Sequence, residues 1–272
     1  MIVNAKTTKL LHQFIAQPSH ALLLVGTPQS GVNELVLEVA TRLHDAFGSV
    51  HRQLLPDGTS ISIEAIRALR SEERLKTSAT HTSIASIVSI VPIDAMQHEA
   101  QNALLKLLEE PPKGTLFILV CYDESNMLPT ISSRCKRVDV LSVSLEQVSL
   151  VYGTQKNILQ AYYMSGGEAL LLDALITNQQ HPMLESITHA KTILAAPLAD
   201  KLQAVEQLVK ERKVDQCLDA LSRICRAALH VSTGSKQQTW AHNLKQIHLA
   251  TTYIQAHVQP KLVLTNLFSS LE

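Results

Sequence analysis

Apolar residues follow two periods along this chain, and the change between them divides it. "ALLLVG" (21–26) is a short continuous apolar run, the pattern of a strand buried on both faces. "NELVLEVATRLHDAFG" then sets Leu35, Val39, Leu43 and Phe47 on one helical face, with Gly48 as a stop. "VHRQLLPDG" (50–58) predicts a second strand closed by a turn. "SISIEAIRALRSEERL" (60–75) predicts a helix through Ile63, Ile66, Leu69 and Leu75. "SIASIVSIV" (83–91) is a β-branched strand. "QHEAQNALLKLLEE" (97–110) carries a stripe at Ala100, Ala103, Leu104, Leu107 and Leu108, and Pro111-Pro112 ends it because proline cannot donate to the helix ladder. "GTLFILVCY" (114–122) and "KRVDVLSV" (136–143) complete the strands. Alternating strands and helices imply an α/β domain whose parallel sheet is covered on both faces.

After residue 143 the strand pattern stops. "SLEQVSLVYG", "QKNILQAYYMSGG" and "EALLLDALITNQ" predict short helices with glycine breaks, and longer amphipathic helices follow from about 186. "WAHNLKQIHLATTYIQAHV" sets Leu244, Ile247, Thr251, Ile254 and Val258 on one face. The expected parts are an α/β domain over 1–143, a small helical lid over 144–187 and an all-helical domain over 188–272. The polar "ERLKTSATHTS" (73–83) is expected to be a mobile connection.

Composition sharpens this picture. Aromatic residues are only 4% of 272, against 46% hydrophobic, which favours a helix-rich fold over a β-sandwich. Lys+Arg and Asp+Glu are both 24, and each half of the chain is balanced to within one charge. Strong autonomous binding to nucleic acid wants a basic surplus, so DNA contact is expected to be local or shared with partners. Cys121, Cys135, Cys217 and Cys225 form no C-x-x-C pair, and the histidines show no ligand spacing, so no metal is expected. The first twenty residues lack a signal peptide's apolar core, and no apolar run approaches the roughly 20 residues of a membrane helix. A soluble, cytoplasmic protein with no membrane contact is the expectation.

"GTPQSGVN" (26–33) carries the candidate chemistry. Gly26 and Gly31 have the spacing of a phosphate-binding loop, after a strand and before a helix. Val32 stands where lysine should reach the terminal phosphates, and Asn33 where Ser or Thr should hold Mg²⁺. The backbone could still hold phosphate weakly. The plainer reading is a strand-to-helix turn that needs glycine. The acidic Mg²⁺ pair is missing too, since the third strand ends "SIVPIDAM". Asp94 is its only acid and reads as a helix N-cap, paired with Gln97 in a capping box. No nucleotide cofactor is expected.

"AQNALLKLLEEPPKGTLFILV" followed by "LPTISSRCKRV" resembles the AAA+ clamp-loader family. The "NALLKLLEEPP" helix and the "SRC" box carry the resemblance over 99–138, with weaker likeness in "SISIEAIRALR" and the C-terminal "AHVQPKLVLTNLFSSL". It implies an AAA+ domain, a lid and a helical collar that assembles into a ring. Loss of the loop lysine and the acidic pair, with Arg134 retained, is similar to the delta-prime subunits of bacterial DNA polymerase III. The implied partners are gamma/tau-type ATPase subunits and a delta subunit, with the sliding clamp and primed DNA engaged through the complex. Two features depart from the pattern. No cysteine lies between Gly48 and Ile63, where many relatives carry a zinc module, and "SGGEALLLDAL" lacks the lid arginine.

The resemblance makes Arg134 an arginine finger that acts in trans on a neighbour's ATP, with Ser133 orienting its turn and Cys135 a buried neighbour. Arg137 is read as a solvated cation or a second interface charge. Asn102 and Glu109-Glu110-Pro111-Pro112 are read as capping, helix stop and packing. The competing readings are an active AAA+ ATPase with substitute residues and a stand-alone DNA-binding module.

Overall fold

The computed structural model describes residues 1–76 and 84–271, without the side chains of 74–76. The expected mobile connection therefore falls largely outside the described residues. Residues 3–143 form one compact unit and the chain from 144 onward a second.

In the first unit, helix α1 (Ala5–Ala16) precedes strand β1 (Ala21–Val25), and α2 (Val32–Phe47) leads to β2 (Val50–Leu54). Helix α3 (Ile63–Lys76), β3 (Ser86–Ile90), α4 (His98–Glu109) and β4 (Thr115–Cys121) follow, then the short α5 (Pro129–Ser132) and β5 (Lys136–Asp139). The five strands are parallel in the order β2-β3-β4-β1-β5. The strand period of two sorts the core into two layers. Leu22 and Leu24 of β1, with Ile118 and Val120 of β4, face Phe14 of α1 and Leu35, Val39 and Leu43 of α2. Ala21, Leu23, Phe117 and Leu119 face the other way, onto Ile66 and Leu69 of α3 and Leu104 and Leu107 of α4. Burial on both faces is why these strands read as unbroken apolar runs.

Helix α1 ties the unit together with polar groups on its inner face. Asn4 caps it by accepting from the Lys6 N–H, and its amide donates to Ser142 O at 2.7 Å. Thr7 is fully buried; its hydroxyl donates to Asp139 O at 2.9 Å and accepts from the Leu141 N–H at 3.1 Å.

The second unit is helical: α6 (Leu145–Tyr152), α7 (Lys156–Ser165), α8 (Ala169–Thr177), α9 (Pro182–Ala195), α10 (Leu198–Lys210), α11 (Val214–Val231), α12 (Ser235–Gln255) and α13 (Pro260–Ser270). Ser144 and Gln147 start α6 with a capping box. One core runs from Met164 and Leu171 to Leu267 and Phe268, centred on Leu218, Leu221 and Cys225 of α11. The α12 stripe holds through Leu244, Ile247 and Ile254. It does not reach Val258, which is 40% exposed: the helix ends at Gln255 and His257 turns the chain with φ 58°. Among the described residues no helix is long and apolar enough to cross a membrane.

Candidate functional site

Ligands of open α/β sheets gather beyond the C-terminal strand ends, and "GTPQSGVN" lies there, between β1 and α2. The loop closes upon itself. Pro28–Ser30 make one turn of 3-10 helix, with Ser30 N–H donating to Thr27 O at 3.0 Å and Gly31 N–H to Pro28 O at 3.4 Å. The Ser30 hydroxyl also donates to Thr27 O, at 2.6 Å. A phosphate cradle needs successive N–H groups aimed at one anion. Here two of them point into the loop, and Pro28 has none. Both glycines have steric reasons to be there. A Cβ on Gly26 would stand 2.9 Å from Ser30 Oγ and 2.9 Å from Val140 Cβ, and Gly31 has φ 82°.

The groups after the loop are also engaged. Val32 is 0% exposed and belongs to the core layer of Leu35 and Val36. Asn33 accepts from the Tyr122 hydroxyl at 2.9 Å. Asp94 accepts from the Tyr122 backbone N–H at 2.8 Å. Burial raises the Tyr122 phenol above its ordinary value, so it stays a donor. Tyr122 thus laces the end of β4 to the start of α2 and to the turn after β3.

Asp94 is not the helix cap that the capping-box pattern suggests. It sits in the 3-10 turn Ile93–Ala95, while the N-cap of α4 is Gln97, which makes no side-chain cap bond. The extra turn moves the carboxylate too far upstream to reach the α4 N–H groups, and the orphan amide of Tyr122 takes it instead.

The "SRC" residues lie at the opposite end of the strands. Parallel register sets Lys136 against Leu22 and Asp139 against Val25. Arg134 precedes the first residue of β5, whereas the loop follows the last residue of β1. About 13 Å of strand separates the two ends, so the loop and Arg134 do not share a site. The Arg134 Nη1 donates to Thr130 O at 2.9 Å and approaches Ser133 Oγ at 3.4 Å, and Nη2 donates to Glu109 Oε1 at 2.7 Å. Its side chain keeps 34% exposure. Ser133 donates to Thr130 O at 2.9 Å, which fixes the same turn. Cys135 packs against the α3–α4 layer, and burial pushes its thiol up to about 12. It is therefore no thiolate at neutral pH. Arg137 meets Glu124 at 2.5 Å and Asp139 at 2.8 Å, so its charge is matched locally.

Gln101 is absent from the sequence reading, yet it anchors the start of α4 to the segments that follow β3 and β4. It is 1% exposed, and its amide nitrogen donates to Met96 O at 3.1 Å and Asn126 O at 2.7 Å. Its oxygen accepts from the Leu128 N–H at 2.8 Å, joining α4 to the segment that leads into α5. The available signal was a polar residue in register with the apolar stripe at Leu104 and Leu108. Among the described residues no cluster of three or more His, Cys, Asp or Glu could hold a metal ion.

Residues 50–144 match the family model described as DNA polymerase III, delta subunit; the span contains α4, α5 and Arg134, and the loop lies before it. The DNA polymerase III subunit delta' of Pseudomonas aeruginosa is 27% identical over 70% of this chain and 67% of its own length. The Yersinia pestis subunit delta' is 32% identical over 49% of the chain, and human replication factor C subunit 5 is 32% identical over 43%. The matches to these two span 45% and 34% of those relatives' own lengths. A DNA polymerase III gamma subunit-related protein of Thermotoga maritima shares the fold, with a TM-score of 0.54 at 19% identity over 97% of each chain. The parallel sheet, the "NALLKLLEEPP" helix with its "SRC" box, and these matches make the chain similar to clamp-loader subunits, the DNA polymerase III delta-prime subunits among them.

Proposed function

We propose that this chain is a non-catalytic subunit of a hetero-oligomeric ring that loads the sliding clamp onto primed DNA in the cytoplasm, and that it donates Arg134 in trans to a neighbouring ATPase subunit. One observation carries the reading: Arg134 stands at the end of the strands opposite the loop, partly exposed, beyond reach of any ligand the loop could hold. A guanidinium so placed is open to another chain's nucleotide, where it would stabilise charge developing on the transferring phosphoryl group. The closed loop, buried Val32 and engaged Asn33 support the absence of hydrolysis within this chain. The partners are then gamma/tau-type ATPases and a delta subunit, joined through residues 188–272, with 144–187 as the lid.

The test is to purify the tagged chain with its native partners and compare ATP turnover with Arg134→Ala. Arginine fingers contribute about 10³–10⁵ in rate at single sites. One site among several should show less, a fall of several-fold in total turnover with an unchanged circular-dichroism spectrum. Undiminished turnover would remove Arg134 from the mechanism.

A further inference from the structure

The bond between Arg134 and Glu109 places the arginine on an anion of its own chain. Glu109 is the last residue of α4, in "LLEEPP", where the helix presents the negative end of its dipole. Its carboxylate meets Arg134 Nη2 at 2.7 Å while Thr130 O holds Nη1 at 2.9 Å. Neither partner is deeply buried: the side chains are 34% and 49% exposed. The neighbouring Glu110 lies 3.9 Å from Arg70, so it answers a different cation.

We propose that Glu109 is a resting counter-ion for Arg134, a stand-in for the phosphate that the arginine meets after assembly. The inference rests on the finger reading and extends it to a second residue. A guanidinium held by a carboxylate and a carbonyl is pre-folded, but it must exchange the carboxylate for phosphoryl oxygens before it can act. Two features of the pair suit such exchange. It is solvent-accessible, so water can follow the guanidinium as it leaves. It is also weak, since exposed pairs shift an equilibrium by only about two- to fivefold. A phosphoryl group, with more charge and bidentate geometry, outcompetes a single carboxylate oxygen. Glu109 is thus a positioning residue with a measurable restraining effect, which the population arithmetic of a competing state requires.

Glu109→Gln keeps the shape and removes the charge. In the isolated chain, ¹⁵N relaxation of the Arg134 Nε–H should report faster motion in the variant. In the assembled loader at sub-saturating ATP, turnover should rise about two- to fivefold, and the gain should shrink with added salt, which screens the pair in the wild type. The gain should vanish in Glu109→Gln/Arg134→Ala, and Glu109→Asp, which retains the charge, should stay near wild type. Unchanged Arg134 mobility overturns the proposal. So does a Glu109→Gln loader that turns over at or below the wild-type rate while Arg134→Ala is impaired, and that result leaves the finger reading intact. Full activity in Arg134→Ala overturns both.

Discussion

Restoring the missing lysine, Val32→Lys, is the most direct perturbation of the loop. A simple motif reading expects a gain of phosphate affinity. The structure predicts a loss of stability and no gain. Val32 is 0% exposed and packs in the layer with Leu35 and Val36. Removing that burial costs about 1.5–3 kcal/mol. The lysine must then bury its ammonium or draw it out along its stem. An escaping ammonium lies at the positive end of α2, which adds roughly 0.3–1 kcal/mol. The sum is about 2–4 kcal/mol, or roughly 5–15 °C in Tm for a chain of this size. Two assays read the outcome: thermal denaturation by circular dichroism, and calorimetric titration with Mg·ATP. The expected result is a lower Tm and no binding heat at micromolar nucleotide. The pH dependence follows from the sign of the shift. A buried lysine has its folded pKa depressed, so the unfolded chain binds more protons between the two pKa values. The deficit should therefore shrink as pH rises toward about 10. Micromolar Mg·ATP binding that raises the Tm of the variant would refute the reasoning, because it would mean that the loop reopens and the residue 32 side chain can turn outward.

Two further substitutions test the scaffold. Gln101→Leu removes the partner of the buried Met96 carbonyl and of the half-buried Asn126 carbonyl and Leu128 N–H, and should destabilise the first unit by about 1–3 kcal/mol in urea titration; unchanged stability would show that the amide is dispensable. Arg223 of α11, 13% exposed, meets Glu168 at 2.7 Å, Asp219 at 3.0 Å and Ser165 O at 3.1 Å, so Arg223→Leu should cost the second unit about 3–5 kcal/mol. A double Arg223→Leu/Glu168→Leu variant should regain part of that loss, and no regain would show that packing rather than charge explains the effect.

The central strands were legible because both faces of the sheet are covered there, which leaves runs such as Ala21–Val25 and Thr115–Cys121 almost free of polar residues. Helices α2 and α4 were legible for the complementary reason, a stripe against a solvated face. Helix α1 was not read. Its inner face begins with Thr7, which buries a hydroxyl in bonds to residues more than 130 positions away, so the polar letter hides a core position. The same blindness explains the site. Val32 and Asn33 could be named from the motif, but their engagement depends on core packing and on Tyr122, 89 residues from Asn33. Gln101 and Glu109 answer partners about 25 residues on, across a strand and a turn. Asp94 was misplaced because a capping pattern is local, and a single 3-10 turn defeats it.

The two ends of the sheet are linked by one short strand, and this bears on how the arginine is presented. The loop closes over Gly26, whose missing Cβ lets Ser30 and Val140 approach. Val140 is the residue after β5, and its N–H donates to Val25 O at 2.8 Å. Arg134 lies at the other end of that strand, just before Lys136. In a loop that binds and releases phosphate, rearrangement of the loop would press on Val140 and so on β5. Here the contact is filled by the loop's own hydroxyl and by 3-10 bonds, which no ligand needs to complete. Thr7 adds a second restraint, bonding Asp139 O and the Leu141 N–H on either side of Val140. The strand is pinned at the end where a nucleotide would otherwise act. A strand so pinned fixes the backbone that follows Arg134, and under the proposed function the freedom left to the arginine would be the side-chain exchange between Glu109 and phosphate.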